Sequence, residues 1–164
     1  MKYLYLVRHA KSSWDEPGLT DFERPLNQRG KKDAPLMGKN IAGKKIKPDL
    51  IISSPAQRAR KTAIAFAEEF GIKKKEIIFD EKIYEATSSE LFEVIRNFKD
   101  DYQTVMLFGH NPGLTNLSNT LTQKYIDNIP TCGIVALKFD DDWKNIKPKS
   151  ASQEFFEYPK LYTK

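Results

Sequence analysis

Four side chains capable of phosphate chemistry stand just beyond apolar segments of this chain. They are Arg8, His9, Arg58 and His110. Burying a guanidinium or an imidazole costs free energy unless a partner binds it there. Arginine offers a permanent charge and paired N–H donors that match the oxygens of a tetrahedral dianion. If these four residues converge, the sequence therefore predicts a pocket for a phosphoryl group.

The same residues supply what a phosphoryl transfer needs. A neutral imidazole is a nucleophile near pH 7, and its attack on phosphorus would give a phosphohistidine. The equatorial oxygens would be held by Arg8, Arg58 and a protonated His110. A leaving group that needs a proton would take it from an acid near the pocket.

The apolar segments that precede these residues are typical of strands buried on both faces of a parallel sheet. They span residues 3–7, 50–53 and 105–109. The second and third lead through a short turn into the start of a helix, and the first leads into the polar segment 11–25. Ligands of open α/β sheets bind beyond the carboxyl ends of the strands. The three strand ends can therefore bring both histidines and both arginines to one crevice.

The rest of the chain completes an α/β pattern. Residues 54–57 read as a capping box that opens one helix, and residues 87–90 as another. The tail contains two strands, 134–139 and 154–158, which we expect to pair antiparallel at one edge of the sheet. We predict one domain, 1–164, a three-layer α/β/α sandwich with a mostly parallel central sheet and an antiparallel C-terminal edge. The polar segment 11–25 is expected to pack as a wall of the pocket because it contains two aromatic residues of a type usually buried, Trp14 and Phe22.

Composition narrows the function classes. The 164 residues carry a net charge of +5, and the short lysine runs fall in expected loops, so we expect no nucleic-acid partner. Cys132 is the only cysteine, which excludes an internal disulfide and a thiolate zinc cluster. No apolar run is long enough for a membrane span or a signal peptide, so a cytoplasmic protein is expected.

Metal-dependent hydrolysis is the natural competitor. Two histidines alone make a poor zinc site, and no His-x-x-x-His pattern accompanies them. Asp15, Asp21 and Glu85 could complete a metal site, but two nearby arginines would oppose a dication. We therefore expect no metal and no cofactor.

Three segments of this chain resemble motifs of the histidine phosphatase superfamily, which has a phosphoglycerate-mutase-like fold. They are LVRHAKSSW at 6–14, SSPAQRARKTA at 53–63 and FGHNPG at 108–113. They occur in the order of the family, and the resemblance runs from about residue 2 to residue 158. It is closest to the short SixA-type phosphohistidine phosphatases, which are similar in having Ala after the histidine and Arg-Pro-Leu-Asn before the first helix, here Ala10 and 24–27.

The resemblance implies specific roles for the predicted pocket residues. His9 would be the phosphorylated nucleophile. Arg8, Arg58 and His110 would bind the transferring phosphoryl group.

It also points to a second set of residues. Ser12 and Asn111 would add hydrogen bonds to the phosphoryl group or the substrate. Asp15 falls where many members of the family have Asn. Glu85 lies near the position where larger members keep their general acid, although it could equally hold a loop or pair with an arginine.

The function expected from these residues is that of a metal-independent phosphatase with a phosphohistidine intermediate on His9. The chain lacks the large insertions that cover a small substrate in the mutases, and an open pocket would admit a phosphohistidine-bearing protein as its partner. One alternative is a phosphatase for small phosphomonoesters such as sugar or nucleotide phosphates. Another, from a different class, is a catalytically idle module that binds phosphate or a phosphoprotein.

Overall fold

A six-stranded mixed sheet forms the centre of the molecule in a computed structural model that describes residues 1–163. Its strands are β1 (Lys2–Arg8), β2 (Leu50–Ser53), β3 (Ile78–Phe79), β4 (Thr104–Gly109), β5 (Ile134–Phe139) and β6 (Ser152–Glu157). They lie in the order β3-β2-β4-β1-β5-β6. The first four strands of the chain run parallel, whereas β5 is antiparallel to both β1 and β6.

Four α-helices of the described residues cover the two faces of the sheet. They are α1 (Gln28–Gly43), α2 (Gln57–Phe70), α3 (Ser88–Arg96) and α4 (Gly113–Leu121). Successive side chains of a strand point to opposite faces, so β1 contributes to two cores. Tyr5 and Val7 pack with α1 and α2 on one face, whereas Leu4 and Leu6 pack with α3 and α4 on the other. This arrangement confirms the predicted three-layer sandwich and its antiparallel C-terminal edge.

Polar side chains cap the first residues of α1 and α3. Asn27 Oδ1 accepts the Gly30 N–H at the start of α1, at 2.9 Å. The predicted capping box of α3 is confirmed, because Thr87 and Glu90 each accept the backbone N–H of the other. Within residues 1–163, none of the helices has both the length and the apolar character of a membrane span.

The segment 11–25 is held by polar contacts rather than by buried aromatic rings. Trp14 is 74% exposed and Phe22 is 40% exposed, so the expectation that they are buried is wrong. The Arg24 guanidinium instead stacks over the Trp14 ring and donates to Ser12 Oγ. A 3-10 turn, Asp21–Glu23, lies within the segment.

Candidate active site

The two histidines leave neighbouring strands side by side. β1 and β4 are adjacent and parallel, with Arg8 level with Gly109. The His9 N–H donates to the Gly109 carbonyl at 3.1 Å, so the chain places His9 next to His110. Their ring centroids are 5.2 Å apart. The convergence expected at the strand ends is thus present for both imidazoles.

The His9 ring is oriented for use as a nucleophile. Its Nδ1 lies 2.7 Å from the Ala10 carbonyl oxygen. Because a carbonyl only accepts, Nδ1 must carry the proton and Nε2 must carry the lone pair. Burial lowers the pKa of His9 to about 3, against the hydrogen bond to Ala10 and with the help of the positive charges nearby. The ring is therefore neutral at pH 7.

Ser54 holds the second imidazole. His110 Nε2 lies 2.7 Å from Ser54 Oγ, which also accepts the Ala56 N–H. Burial, followed by the charge of Arg58, lowers the pKa of His110 to about 4. A pKa of about 4 makes the unliganded ring neutral at pH 7, whereas the phosphoryl-binding role expected from the sequence requires the protonated ring. A phosphoryl dianion beside the ring would favour the protonated form.

Both predicted arginines lie close to this pair. Arg58 is 7% exposed, and its guanidinium donates from Nη1 to the Asp21 carbonyl oxygen at 2.7 Å and from Nη2 to Asp21 Oδ2 at 3.0 Å. Arg8 Nη1 donates to the Ile129 carbonyl at 2.9 Å. Burial lowers the pKa of Arg8, and the charge of Arg58 lowers it further, so the two guanidinium groups are near each other.

Two buried nitrogen atoms of this cluster have no hydrogen-bond partner in residues 1–163. They are Arg8 Nε and His110 Nδ1. Buried polar atoms without a partner are uncommon in folded proteins. Arg8 Nε is always a donor and His110 Nδ1 is a donor when the ring is protonated, so a bound phosphoryl group would supply acceptors for both.

Ser12 and Asn111 lie near the histidines in sequence, but other protein groups use their side chains. Ser12 is buried, and its hydroxyl accepts from Arg24. The Asn111 amide donates to Asn128 Oδ1 and to the Ile129 carbonyl. Asn111 therefore braces the loop that also binds Arg8, and its two amide N–H groups are already engaged.

Neither of the two predicted carboxylates, Asp15 and Glu85, forms a hydrogen bond with an imidazole in the described residues. Asp15 is exposed, and its one hydrogen bond in the described residues is from its backbone N–H to Ser13 Oγ. Glu85 is exposed and has a left-handed backbone with φ of 55°. Its charge contributes to a raised pKa of Tyr84, after burial and the hydrogen bond to Asp21, so it lies near that hydroxyl.

Three residues of the site were missed or misread from the sequence. Ser54 was assigned to a helix cap, but α2 begins at Gln57 with Ala56 as its uncapped N-cap, and Ser54 binds His110 instead. Asp21 was considered only as a metal ligand. Its spacing of three residues from Arg24 was the available signal for an ion pair, and the structure contains that pair at 3.0 Å. Tyr84 has no signal of its own, although its ring packs edge-on against His110.

Residues 1–163 contain no group of three or more His, Cys, Asp or Glu side chains placed to hold a metal ion. Asp15, Asp21 and Glu85, the additional ligands considered from the sequence, therefore do not form such a group with the histidines. The described residues at this site offer imidazoles, guanidinium groups, one carboxylate and the hydroxyl groups of Ser54 and Tyr84.

Comparison with known proteins identifies the family. The model of the histidine phosphatase superfamily (branch 1) matches residues 4–104. This chain belongs to the histidine phosphatase superfamily. The matched range contains the first histidine and both arginines of the site.

Two relatives of this histidine phosphatase superfamily member are similar to it over different lengths of sequence. An uncharacterized chloroplastic protein of Arabidopsis thaliana is 31% identical over 150 residues, covering 86% of this chain and 68% of the relative. Phosphoserine phosphatase 1 of Hydrogenobacter thermophilus is 32% identical over 110 residues, covering 63% and 50%.

Among solved structures, the candidate phosphohistidine phosphatase SixA of Agrobacterium tumefaciens matches with a TM-score of 0.83 and 30% identity. The match covers 96% of this chain and 98% of that one.

Proposed function

We propose that this protein is a metal-independent phosphatase that forms a phosphohistidine on His9 and removes phosphate from phosphohistidine carried by a protein. The observation that carries the proposal is the orientation of the His9 ring. Its Nδ1–H is fixed on the Ala10 carbonyl, its Nε2 has no partner in the described residues, and His110 lies beside it.

In the first step the lone pair of His9 Nε2 forms a bond to phosphorus while the P–N bond of the substrate breaks. The departing imidazole keeps the electron pair of that bond and leaves as a neutral ring, because its other nitrogen is protonated. The His9 ring then carries a positive charge. The hydrogen bond from Nδ1 to the Ala10 carbonyl stabilises that charge.

In the second step a water oxygen attacks phosphorus and the Nε2–P bond breaks. Inorganic phosphate leaves, His9 regains its lone pair, and the proton lost by the water passes to solvent. Arg8 and Arg58 hold the equatorial oxygens through both steps, and His110 donates a hydrogen bond from Nδ1 once the dianion has favoured its protonated form.

The proton donors available at the site favour an imidazole leaving group over an alkoxide. Hydrogen bonds from Tyr84 and the two arginines outweigh the desolvation of Asp21 and lower its pKa to about 2, so it has no proton to give at pH 7. The Tyr84 hydroxyl donates to Asp21, and its pKa is raised. Glu85 is exposed. A protonated phosphohistidine needs no strong acid from the protein, and the SixA similarity supports the same substrate class.

A second candidate is a phosphatase for small phosphomonoesters, favoured by the similarity to a phosphoserine phosphatase. An alkoxide leaving group would then require a proton from Glu85 or from solvent. The third candidate, an idle phosphate-binding module, has no use for the oriented and unprotonated Nε2 of His9.

A substrate panel separates these candidates. We expect a phosphohistidine-bearing protein to be turned over with kcat/KM at least ~10-fold above phosphoserine, sugar phosphates and nucleotides, because only its leaving group needs no acid. Turnover should be unchanged in excess EDTA and absent from His9→Ala. A preference for phosphoserine or sugar phosphates would support the second candidate. Tight phosphate binding with no turnover of any compound would support the third.

A further inference from the structure

One carboxylate links three parts of the candidate site. Asp21 Oδ2 accepts from Arg58 Nη2 at 3.0 Å and from Tyr84 Oη at 2.7 Å, and Asp21 Oδ1 accepts from Arg24 Nη1 at 3.0 Å. The donors come from helix α2, from the stretch before α3 and from the segment 11–25. Asp21 therefore connects elements that are far apart in the sequence.

Asp21 contacts both ends of the Arg58 guanidinium and so fixes its orientation. Asp21 takes one end of the guanidinium with its backbone carbonyl oxygen and the other end with Oδ2. Two bonds to one residue define the plane of the group as well as its position. A guanidinium carries more N–H donors than these two bonds use, so further donors stay available for an oxyanion.

The oriented guanidinium lies next to the imidazoles. Tyr84, which donates to the same carboxylate oxygen as Arg58, packs its ring against His110 with centroids 5.6 Å apart. Phe22 in turn packs edge-on against Tyr84 at 5.2 Å, so the turn containing Asp21 is itself held in place. Ring contacts therefore connect the turn that contains Asp21 to His110 through Tyr84.

We propose that Asp21 is a positioning residue that holds the Arg58 guanidinium in the orientation from which its remaining N–H donors reach the transferring phosphoryl group. This inference rests on the phosphoryl-binding role of Arg58 in the proposed function and does not depend on which phosphorylated compound is the substrate. The negative charge of Asp21 also offsets the repulsion between Arg58 and the nearby Arg8.

A double-mutant cycle with p-nitrophenyl phosphate tests whether Asp21 acts through Arg58. In the otherwise native protein, Asp21→Asn should lower kcat about tenfold, because a small misplacement of a transition-state donor is costly. In the Arg58→Ala background, the same Asp21→Asn change should alter kcat by less than about twofold, because the donor that it positions is gone. Equal losses in both backgrounds, or no loss in either, would overturn the inference.

Glu23→Gln is the matched control, since Glu23 is an exposed carboxylate of the same turn and, within residues 1–163, its side chain bonds only to Thr20. Its kcat should equal that of the native protein. If the native protein turns over no phosphorylated compound, the proposed function fails, and the cycle is then measured as dissociation constants for inorganic phosphate by calorimetry. A change caused by Asp21→Asn that disappears in Arg58→Ala supports the positioning role, and one that persists unchanged contradicts it.

Discussion

Apart from the nucleophile His9, Arg58 of α2 is the residue whose removal should lower the activity most. Arg58→Ala should lower kcat/KM at least ~100-fold, as loss of a donor to the transition state typically does. The matched control is Arg60→Ala in the same helix, because the Arg60 guanidinium lies over the Phe79 ring, 4.6 Å from its centroid, rather than beside the histidines. Steady-state kinetics of the two variants provide the measurement. Equal losses of kcat/KM in the two variants would mean that disturbance of α2, and not removal of the Arg58 guanidinium, lowers the activity.

Residue types at strand ends could be predicted from the sequence, but their partners could not. His9 and His110 follow apolar runs, and that pattern is local. Ser54 contacts His110 across 56 positions of sequence, and Asp21 contacts Arg58 across 37. Such contacts depend on how the elements pack, and a single serine or aspartate in a loop does not indicate its distant partner.

At the scale of elements, the start of α1 is packed closely against the segment that follows β1 and contains His9. A Cβ at Gly30 would lie 2.2 Å from the Lys11 carbonyl oxygen, whereas one at Gly43, the last residue of the same helix, would meet nothing within 4 Å. Gly30→Ala should therefore lower the free energy of unfolding by about 1–3 kcal/mol, because the backbone of residues 10–12 has to move. Activity should fall as well, since this backbone carries the Ala10 carbonyl that orients His9.

Gly43→Ala is the control for that substitution and should be neutral or stabilising by up to ~1 kcal/mol. Urea unfolding of both variants gives the comparison. If the two substitutions have the same effect on stability, the packing of α1 against the strand end is not as close as the structure indicates.

Apolar patterns in the sequence predict where strands and helices occur, but they do not predict the residues at which these elements end. The strand expected at 154–158 is Ser152–Glu157, because its extent is set by pairing with β5, where Ser152 lies opposite Lys138. The short third strand is likewise limited to the two residues that pair with β2. Pairing is a property of the assembled sheet, whereas hydrophobic pattern belongs to each segment alone.

For the whole molecule, the two buried imidazoles make stability depend on pH. Their pKa values of about 3 and about 4 lie below the value of about 6.5 expected in the unfolded chain. Between these limits the unfolded chain binds more protons, so the free energy of unfolding should fall as pH drops below 6.5. The slope should be about 1.4 kcal/mol per pH unit for each histidine. Asp21, with a pKa of about 2, adds its own loss only at lower pH.

Urea unfolding between pH 7 and pH 5, in a buffer without phosphate, measures this dependence. His9→Asn should show about half the native slope, because one of the two neutral imidazoles has been removed. A native protein whose stability does not change over this range would contradict the burial of neutral histidines.

The covalent intermediate is the centre of this account, and trapping it is the most direct test. The protein is exposed briefly to a radiolabelled phosphohistidine or acetyl phosphate donor, quenched, and mapped by mass spectrometry, with His9→Ala and His110→Ala beside it. We predict a label that is stable to alkali and labile to acid, attached to His9, and absent from His9→Ala. Turnover without any such label, or a label attached to His110 instead, would contradict the proposal that His9 is the nucleophile.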